Sequence, residues 1–149
     1  MVYVVDDAQD YRFLVQQVFK LFLPQYPLRL FADGMDLIQA IESGNDLPGA
    51  ELPKLILLDV DMPKLSGPQT LERLKQHTVW QSVPVVMMSN RMDDSFVSAC
   101  YQRGACSFLV KPMDLGQLKQ IMTLLCHYWL DLNKLPKSLV EPTAGSIDQ

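Results

Sequence analysis

Acidic side chains stand directly after two short apolar runs of this chain. Asp6 and Asp7 follow Val2–Val5, and Asp59 follows Leu55–Leu58. If these runs are neighbouring parallel strands, their carboxyl ends meet at one edge of a sheet, and the three carboxylates crowd together. At about 4 Å and an effective dielectric constant near 20, each like-charged pair costs about 4 kcal/mol. The cluster therefore calls for either a carboxyl with a raised pKa or a hard divalent cation, and oxygen ligands favour magnesium or a similar ion.

A hydroxyl and an amine stand at the ends of two further apolar runs, as Ser89 and Lys111. A divalent cation neutralises phosphoryl oxygens, a lysine adds a second positive charge and a hydroxyl donates a hydrogen bond, so the set suits phosphoryl transfer. A carboxylate held in such a site can attack phosphorus and form an acyl phosphate. Asp59, alone at the tip of the strand that is expected to be the most buried, is the candidate nucleophile.

Strand and helix patterns alternate along the chain, which is typical of an α/β fold with a parallel sheet. The predicted strands are Val2–Val5, Leu28–Phe31, Leu55–Leu58, Pro84–Met88 and Ser107–Val110. An apolar stripe with helical spacing follows each strand. Asp33 and Asp114 are predicted to cap the second and fifth helices, and Pro68 to stand in the first turn of the third.

The helical stripes also predict which side chains point inward. In the fourth helix these are Phe96, Val97, Cys100 and Tyr101, and in the last helix they are Leu115, Leu118, Ile121, Met122, Leu125 and Trp129. Residues 43–53 are predicted to form a loop. The pattern gives one domain over residues 1–132 and a flexible tail over residues 133–149.

Composition narrows the class of protein. The chain has 149 residues, 48% of them hydrophobic, and a net charge of -4. An acidic protein lacks the basic face that phosphate contacts need, so we expect no nucleic-acid partner. No apolar run approaches a membrane span, and the N-terminus lacks the pattern of a signal peptide. We therefore expect a cytoplasmic protein that does not bind a membrane.

Several motifs in order resemble the receiver domains of two-component response regulators, of the chemotaxis-regulator type, over about residues 2 to 130. They are Asp6-Asp7, Leu-Leu-Asp59-Val-Asp-Met-Pro-Lys-Leu-Ser-Gly, Val-Val-Met-Met-Ser89 and Phe108-Leu-Val-Lys111-Pro112. The C-terminal Tyr128-Trp129-Leu130 is similar to the single-domain subgroup of cyanobacterial phytochrome response regulators. The resemblance implies a flavodoxin-like (βα)5 sandwich, a five-stranded parallel sheet of order 2-1-3-4-5 with helices on both faces.

The resemblance also implies roles for the residues at the strand ends. Asp59 corresponds to the phosphoacceptor, and a histidine kinase or phosphotransfer protein is the implied donor. Asp7, Asp59 and the backbone carbonyl of Asp61 correspond to ligands of Mg²⁺, with Asp6 as an outer-sphere acid. Lys111 corresponds to the cation that pairs with phosphate, and its bond to Pro112 is expected to be cis.

The resemblance further implies a switch made of Ser89 and Phe108. The Ser89 hydroxyl turns toward a phosphoryl group, and the Phe108 ring then rotates inward. This biases the face made by the fourth helix, fifth strand and fifth helix, through which the protein signals by partner binding or homodimerisation. Such a protein is a phosphoacceptor that assists its own phosphorylation and dephosphorylation, not an enzyme with turnover.

Two alternatives remain open on the sequence alone. Asp59 and Asp61 flank a valine as the nucleophile and acid do in haloacid-dehalogenase-type phosphatases. Against this, the acidic pair at Asp6 precedes the lysine, whereas that family places its acidic metal ligands after it. The other alternative is an unphosphorylated docking module, which the presence of all the site residues disfavours.

Overall fold

The computed structural model describes residues 1–44 and 52–135 of the chain. Its strands are β1 (Val2–Val5), β2 (Leu28–Phe31), β3 (Leu55–Asp59), β4 (Val85–Ser89) and β5 (Ser107–Val110). Its α-helices are α1 (Gln9–Phe22), α2 (Gly34–Ser43), α3 (Gly67–Gln76), α4 (Asp94–Gln102) and α5 (Leu115–Cys126). A short 3-10 helix, Trp80–Ser82, precedes β4, and a π-helical segment, His127–Leu132, extends α5.

The five strands form one parallel sheet of order β2-β1-β3-β4-β5. This is the predicted flavodoxin-like order. The pairing register brings the strand ends together, because Val5 lies opposite Leu58, and Asp59 lies opposite Met88. The residues that follow these strands therefore share one edge of the sheet.

The core has two layers because the buried strands alternate their side chains between the two faces of the sheet. Leu55 and Leu57 of β3 pack with α1 and α5, whereas Ile56 and Leu58 pack with α2, α3 and α4. All five residues of β3 are buried, as expected for a central parallel strand covered on both faces.

The residues predicted to cap the second and fifth helices stand at the starts of α2 and α5. The Asp33 carboxylate accepts a hydrogen bond from the Asp36 N–H (2.8 Å), and the Asp114 carboxylate accepts one from the Gln117 N–H (2.8 Å). In α3, Ser66 and Gln69 form a reciprocal capping box, and a proline stands in the first turn as predicted.

Replacing Asp33 by alanine is expected to lower the free energy of unfolding by about 1 kcal/mol, because the carboxylate is buried and accepts a helix N–H. Urea unfolding measures the change. Asp93→Ala is the matched control, since Asp93 is the N-cap of α4 but its side chain makes no capping hydrogen bond. Equal losses in the two variants would contradict the capping argument.

Two predictions of burial are wrong. Tyr101 is 47% exposed and Leu115 is 50% exposed. Tyr101 stands about 100° around the helix from Cys100, the fully buried residue of α4, and therefore lies at the edge of the packed stripe. Leu115 is the first residue of α5, beside the exposed Met113, and the buried stripe begins one turn later at Leu118.

The C-terminal part of α5 packs as predicted, with Met122 buried and Trp129 partly buried against the core. The extension is held to the body of the domain by Tyr26, whose hydroxyl donates to the Asp131 carboxylate (2.5 Å). Most of the predicted loop and of the predicted tail lies outside the described residues. None of the helices within the described ranges combines the length and the apolar character of a membrane span.

Candidate functional site

Three carboxylates meet at the carboxyl edge of the sheet. Asp6 and Asp7 follow β1, and Asp59 ends the adjacent β3. One carboxylate oxygen from each lies within 4.8 Å of the others. Asp6 and Asp59 are buried, with 0% and 5% exposure, whereas Asp7 is exposed and closes the cluster from the solvent side. The structure thus brings together the three acids that the sequence predicts.

Lys111, which follows β5, reaches across to this cluster. Its Nζ lies 2.6 Å from Asp6 Oδ2 and 3.6 Å from Asp59 Oδ1. Its backbone N–H donates to the Ser89 carbonyl (3.0 Å), which fixes the start of the turn. Burial on its own lowers the pKa of the Lys111 amine, but the close contacts with Asp6 and Asp59 and their negative charges outweigh burial and raise it.

The carboxylates outnumber the cation in this pocket. Burial, and then the charge of Asp6, raise the pKa of the Asp59 carboxyl to about 7, and the Lys111 ammonium opposes that rise. Within the described part of the chain, the buried Asp6 Oδ2 has its ion contact with Lys111 but receives no hydrogen bond of good geometry. A set of oxygen donors with excess negative charge fits a hard divalent cation.

Asp61 lies outside the carboxylate cluster. It is exposed in the loop after β3, and its charge adds a small further rise to the pKa of Asp59. The backbone of this loop is tied to the sheet, because the Val60 N–H donates to the Met88 carbonyl (3.1 Å). The Asp61 side chain is therefore not one of the three clustered carboxylates.

The Ser89 hydroxyl is engaged with the backbone of Arg91. Ser89 is 1% exposed, and its Oγ accepts a hydrogen bond from the Arg91 N–H (2.8 Å). The Arg91 guanidinium lies 4.1 Å above the Phe96 ring, and Phe96 in turn meets Phe108 edge to face, with 6.0 Å between ring centroids. Ser89 and the aromatic pair are therefore joined through Arg91, a contact that the sequence did not reveal.

Phe108 is 7% exposed, so its ring already lies inward. The structure thus combines an inward Phe108 with a Ser89 hydroxyl bound to a backbone N–H.

The Lys111–Pro112 peptide bond is trans, and the prediction of a cis bond is wrong. That prediction depended on the family resemblance and on the use of cis proline in tight turns, and trans is the ordinary preference of a bond before proline. The Pro112 carbonyl accepts a hydrogen bond from the buried Tyr11 hydroxyl (3.1 Å), and the Lys111 Nζ lies 4.3 Å from the centre of the Tyr11 ring. The sequence placed Tyr11 only on the inner face of α1.

The chain matches the family model described as "Response regulator receiver domain" over residues 2–123. Among curated relatives it is 26% identical to the response regulator Rcp1 of Synechocystis, over 91% of this chain and 92% of that one. It is also 26% identical to the probable methanogenesis regulatory protein FilR2 of Methanothrix harundinacea, over 91% and 87% of the two chains.

Solved structures agree with the sequence comparisons. The Mn²⁺-bound form of Rcp1 superposes with a TM-score of 0.76 at 27% identity, covering 91% of this chain and 97% of the other. The phosphorylated cyanobacterial phytochrome response regulator RcpA superposes with a TM-score of 0.79 at 25% identity, covering 91% and 96%. These relatives lend no support to the phosphatase alternative. The chain therefore belongs to the receiver domains of two-component response regulators.

Proposed function

We propose that Asp59 is the phosphoacceptor of this receiver, and that its donor is a phosphohistidine on a histidine kinase or phosphotransfer protein. The observation that carries the proposal is the position of the Lys111 ammonium, 3.6 Å from a buried Asp59 carboxylate that two other acids flank. A buried carboxylate in that setting has little structural purpose, because it costs desolvation and like-charge repulsion.

The transfer is a displacement at phosphorus. An Asp59 carboxylate oxygen forms the new O–P bond while the P–N bond to the donor imidazole breaks, and the bond's electron pair stays on the imidazole nitrogen, which takes up a proton. Lys111 provides a fixed positive charge beside the oxygen that attacks. Because that charge is already in place, it needs no rearrangement as negative charge develops.

Asp7, Asp59 and the carbonyl of Asp61 would hold a divalent cation, with Asp6 behind them, and we propose Mg²⁺ as that ion. When bound, such a cation neutralises charge on the phosphoryl oxygens. The fit depends on the donor chemistry, which is oxygen only, and on three carboxylates that face a single ammonium.

Phosphorylation would act on Ser89 by offering its hydroxyl proton an anionic acceptor. A phosphoryl group brings nearly two negative charges and three acceptor oxygens. In the structure the Ser89 Oγ accepts from the Arg91 N–H. A turn of the hydroxyl toward phosphate would weaken that bond, and Arg91 lies directly on the Phe96 ring that touches Phe108. We propose this route as the link between the phosphoacceptor and the surface of α4.

The output surface that we propose is the face formed by α4, β5 and α5. It presents exposed apolar side chains from all three elements, namely Tyr101, Val110 and Leu124, which are 47–60% exposed. Tyr128 of the C-terminal extension adds a fourth. Aromatic and aliphatic side chains exposed on one face favour a protein partner or a second copy of the chain.

Incubation with Mg²⁺ and acetyl phosphate tests the proposal. We expect the parent protein to gain the mass of one phosphoryl group, and Asp59→Asn to gain none, because an amide is no nucleophile toward phosphorus. Intact-mass spectrometry provides the measurement. The control is Asp94→Asn, an exposed acid in the first turn of α4, which should be labelled like the parent. Label in Asp59→Asn equal to that in the parent would refute the assignment.

A further inference from the structure

Tyr11 makes two contacts with the turn that holds the site lysine. It stands in the first turn of α1 and is 5% exposed. Its hydroxyl donates to the carbonyl of Pro112 (3.1 Å), and its ring lies under the Lys111 ammonium, 4.3 Å from Nζ to the ring centre. One side chain thus touches both the backbone that carries Lys111 and the charge at the end of that side chain.

We infer that Tyr11 is a positioning residue that sets where the Lys111 ammonium stands between Asp6 and Asp59. The inference depends on the proposed function, because the lysine matters chemically only if Asp59 is phosphorylated. Tyr11 touches neither the donor nor the reacting oxygen, and acts through Lys111.

The lysine needs such a guide because its two acidic partners attract it unequally. Nζ is 2.6 Å from Asp6 and 3.6 Å from Asp59. A lysine has a flexible four-carbon stem, and neither acid restrains it sideways. The face of an aromatic ring attracts a cation, and a ring that is itself buried cannot move away. The Tyr11 ring therefore provides a third, rigid point of contact for the ammonium.

The Tyr11 hydroxyl acts at the other end of Lys111, on the backbone from which its side chain starts. The Lys111 N–H is bound to the Ser89 carbonyl, which holds the residue on the sheet side. The Tyr11 hydroxyl holds the next carbonyl in the chain, on the side of α1. The Lys111 N–H and the carbonyl of the following residue, Pro112, are thus both anchored, and the side chain starts from a defined place.

Ordinary core packing does not account for this arrangement. The other buried positions of α1 are Val15, Val18 and Phe19, which fill the core without polar atoms. Tyr11, the remaining buried position of α1, brings a buried hydroxyl that must find an acceptor. It finds the acceptor in the one turn that carries the site lysine, 101 positions away.

Two substitutions separate the ring from the hydroxyl. Tyr11→Phe keeps the ring beneath Lys111 and removes the hydroxyl, whereas Tyr11→Leu removes both. Tyr11→Met is a second variant without a ring, in case leucine does not fold. The first readout is NMR of the metal-free protein, in which a ring beneath the ammonium shifts the Lys111 Cε protons upfield. We expect the shift in the parent and in Tyr11→Phe, and its loss in Tyr11→Leu and Tyr11→Met.

The second readout is the rate of phosphorylation by saturating acetyl phosphate with Mg²⁺. We expect a fall of about twofold in Tyr11→Phe, which loses the hydrogen bond to Pro112 but keeps the ring, and a fall of about tenfold in the variants without a ring, since small misplacement of a catalytic group slows transfer strongly. Mg²⁺ affinity should stay within about twofold, because the carboxylates are untouched. A folded variant that lacks the ring and reacts at the parent rate would overturn the inference.

An unshifted Lys111 signal in the parent would overturn it as well. If the parent accepts no label at all, the proposed function fails, while the NMR result still decides whether Tyr11 positions the lysine.

Discussion

Replacing Lys111 by methionine is expected to lower the free energy of unfolding of the metal-free protein by about 3 kcal/mol. For a chain of this length, that loss corresponds to a fall of about 10 °C in Tm. The reason is Asp6, which is fully buried and has Lys111 as its ion partner at 2.6 Å. Without the ammonium, a buried carboxylate lies beside two other acids and has no other ion partner among the described residues.

Divalent cations should reverse most of this loss. Lys111 and a bound metal ion both neutralise the same carboxylates. Removing the lysine therefore leaves the site with more net negative charge and should increase its affinity for the metal. A ligand that binds the native state stabilises it in proportion to the logarithm of its concentration over its dissociation constant. We therefore expect millimolar Mg²⁺ to raise the Tm of Lys111→Met by more than it raises that of the parent.

Thermal unfolding in EDTA and in Mg²⁺ measures both effects. Lys20→Met, an exposed lysine in the last turn of α1, should change stability by less than about 0.5 kcal/mol and should leave the Mg²⁺ response unaltered. The double variant Asp6→Asn with Lys111→Met should lose less than the single lysine variant, because the unpaired charge is gone. A lysine variant as stable as the parent in EDTA would contradict the charge argument.

The sheet and the place of the site could be predicted because both depend on local signals. Each strand is a short apolar run that ends at or shortly before a polar residue. Three of the strands, β1, β2 and β5, have the predicted bounds. The acids and Lys111 stand at the carboxyl ends of the strands, so a parallel sheet brings them to one edge whatever their side-chain angles are. The strand order itself came from the family resemblance and is confirmed.

The contacts that tune the site could not be predicted, since they join distant parts of the chain or depend on side-chain direction. The helical spacing of α1 predicts only an inward position for Tyr11, and its partner Pro112 is 101 positions away. No sequence pattern marks Arg91, although its backbone N–H binds Ser89 and its guanidinium lies over the Phe96 ring.

Helical periodicity has a similar limit. It predicts the angle of a side chain around the helix but not how far the packed stripe extends along it. Tyr101 and Leu115 are therefore exposed, although their spacing fits the stripes.

The sequence also left open how the crowded acids are tolerated. A raised pKa and a bound cation were equal solutions, and burial raises the pKa of Asp59 to about 7 in the metal-free site. The two solutions then describe two states of one site, since a cation that needs ionised ligands competes with the proton for the same oxygen.

Replacing Gly67 by alanine is expected to lower the free energy of unfolding by about 2 kcal/mol and to slow phosphorylation by about tenfold or more. Gly67 begins α3, and its N–H donates to the Val60 carbonyl (2.9 Å). A Cβ at this position would clash with the carbonyl oxygen of Asp59 and lie 2.7 Å from the Val60 Cα. Both are backbone atoms, which cannot swing aside, so the junction of β3 and α3 must shift.

The shift falls on the residue that carries the proposed phosphoacceptor, which is why one methyl group should affect both stability and chemistry. Displacement of a reacting group by about 1 Å can cost about a hundredfold in rate. Urea unfolding and the rate of labelling by acetyl phosphate measure the two effects.

The matched control is Gly116→Ala, because a Cβ there meets only Asp114 Oδ1 at 3.4 Å and alanine is the better helix former. It should be labelled at the parent rate and be at least as stable. The first residue of α3 packs against the backbone at the end of β3, so the glycine that lets the helix start so close to Asp59 should also keep that carboxylate beside Lys111. A Gly67→Ala protein with unchanged labelling would show that the two are independent.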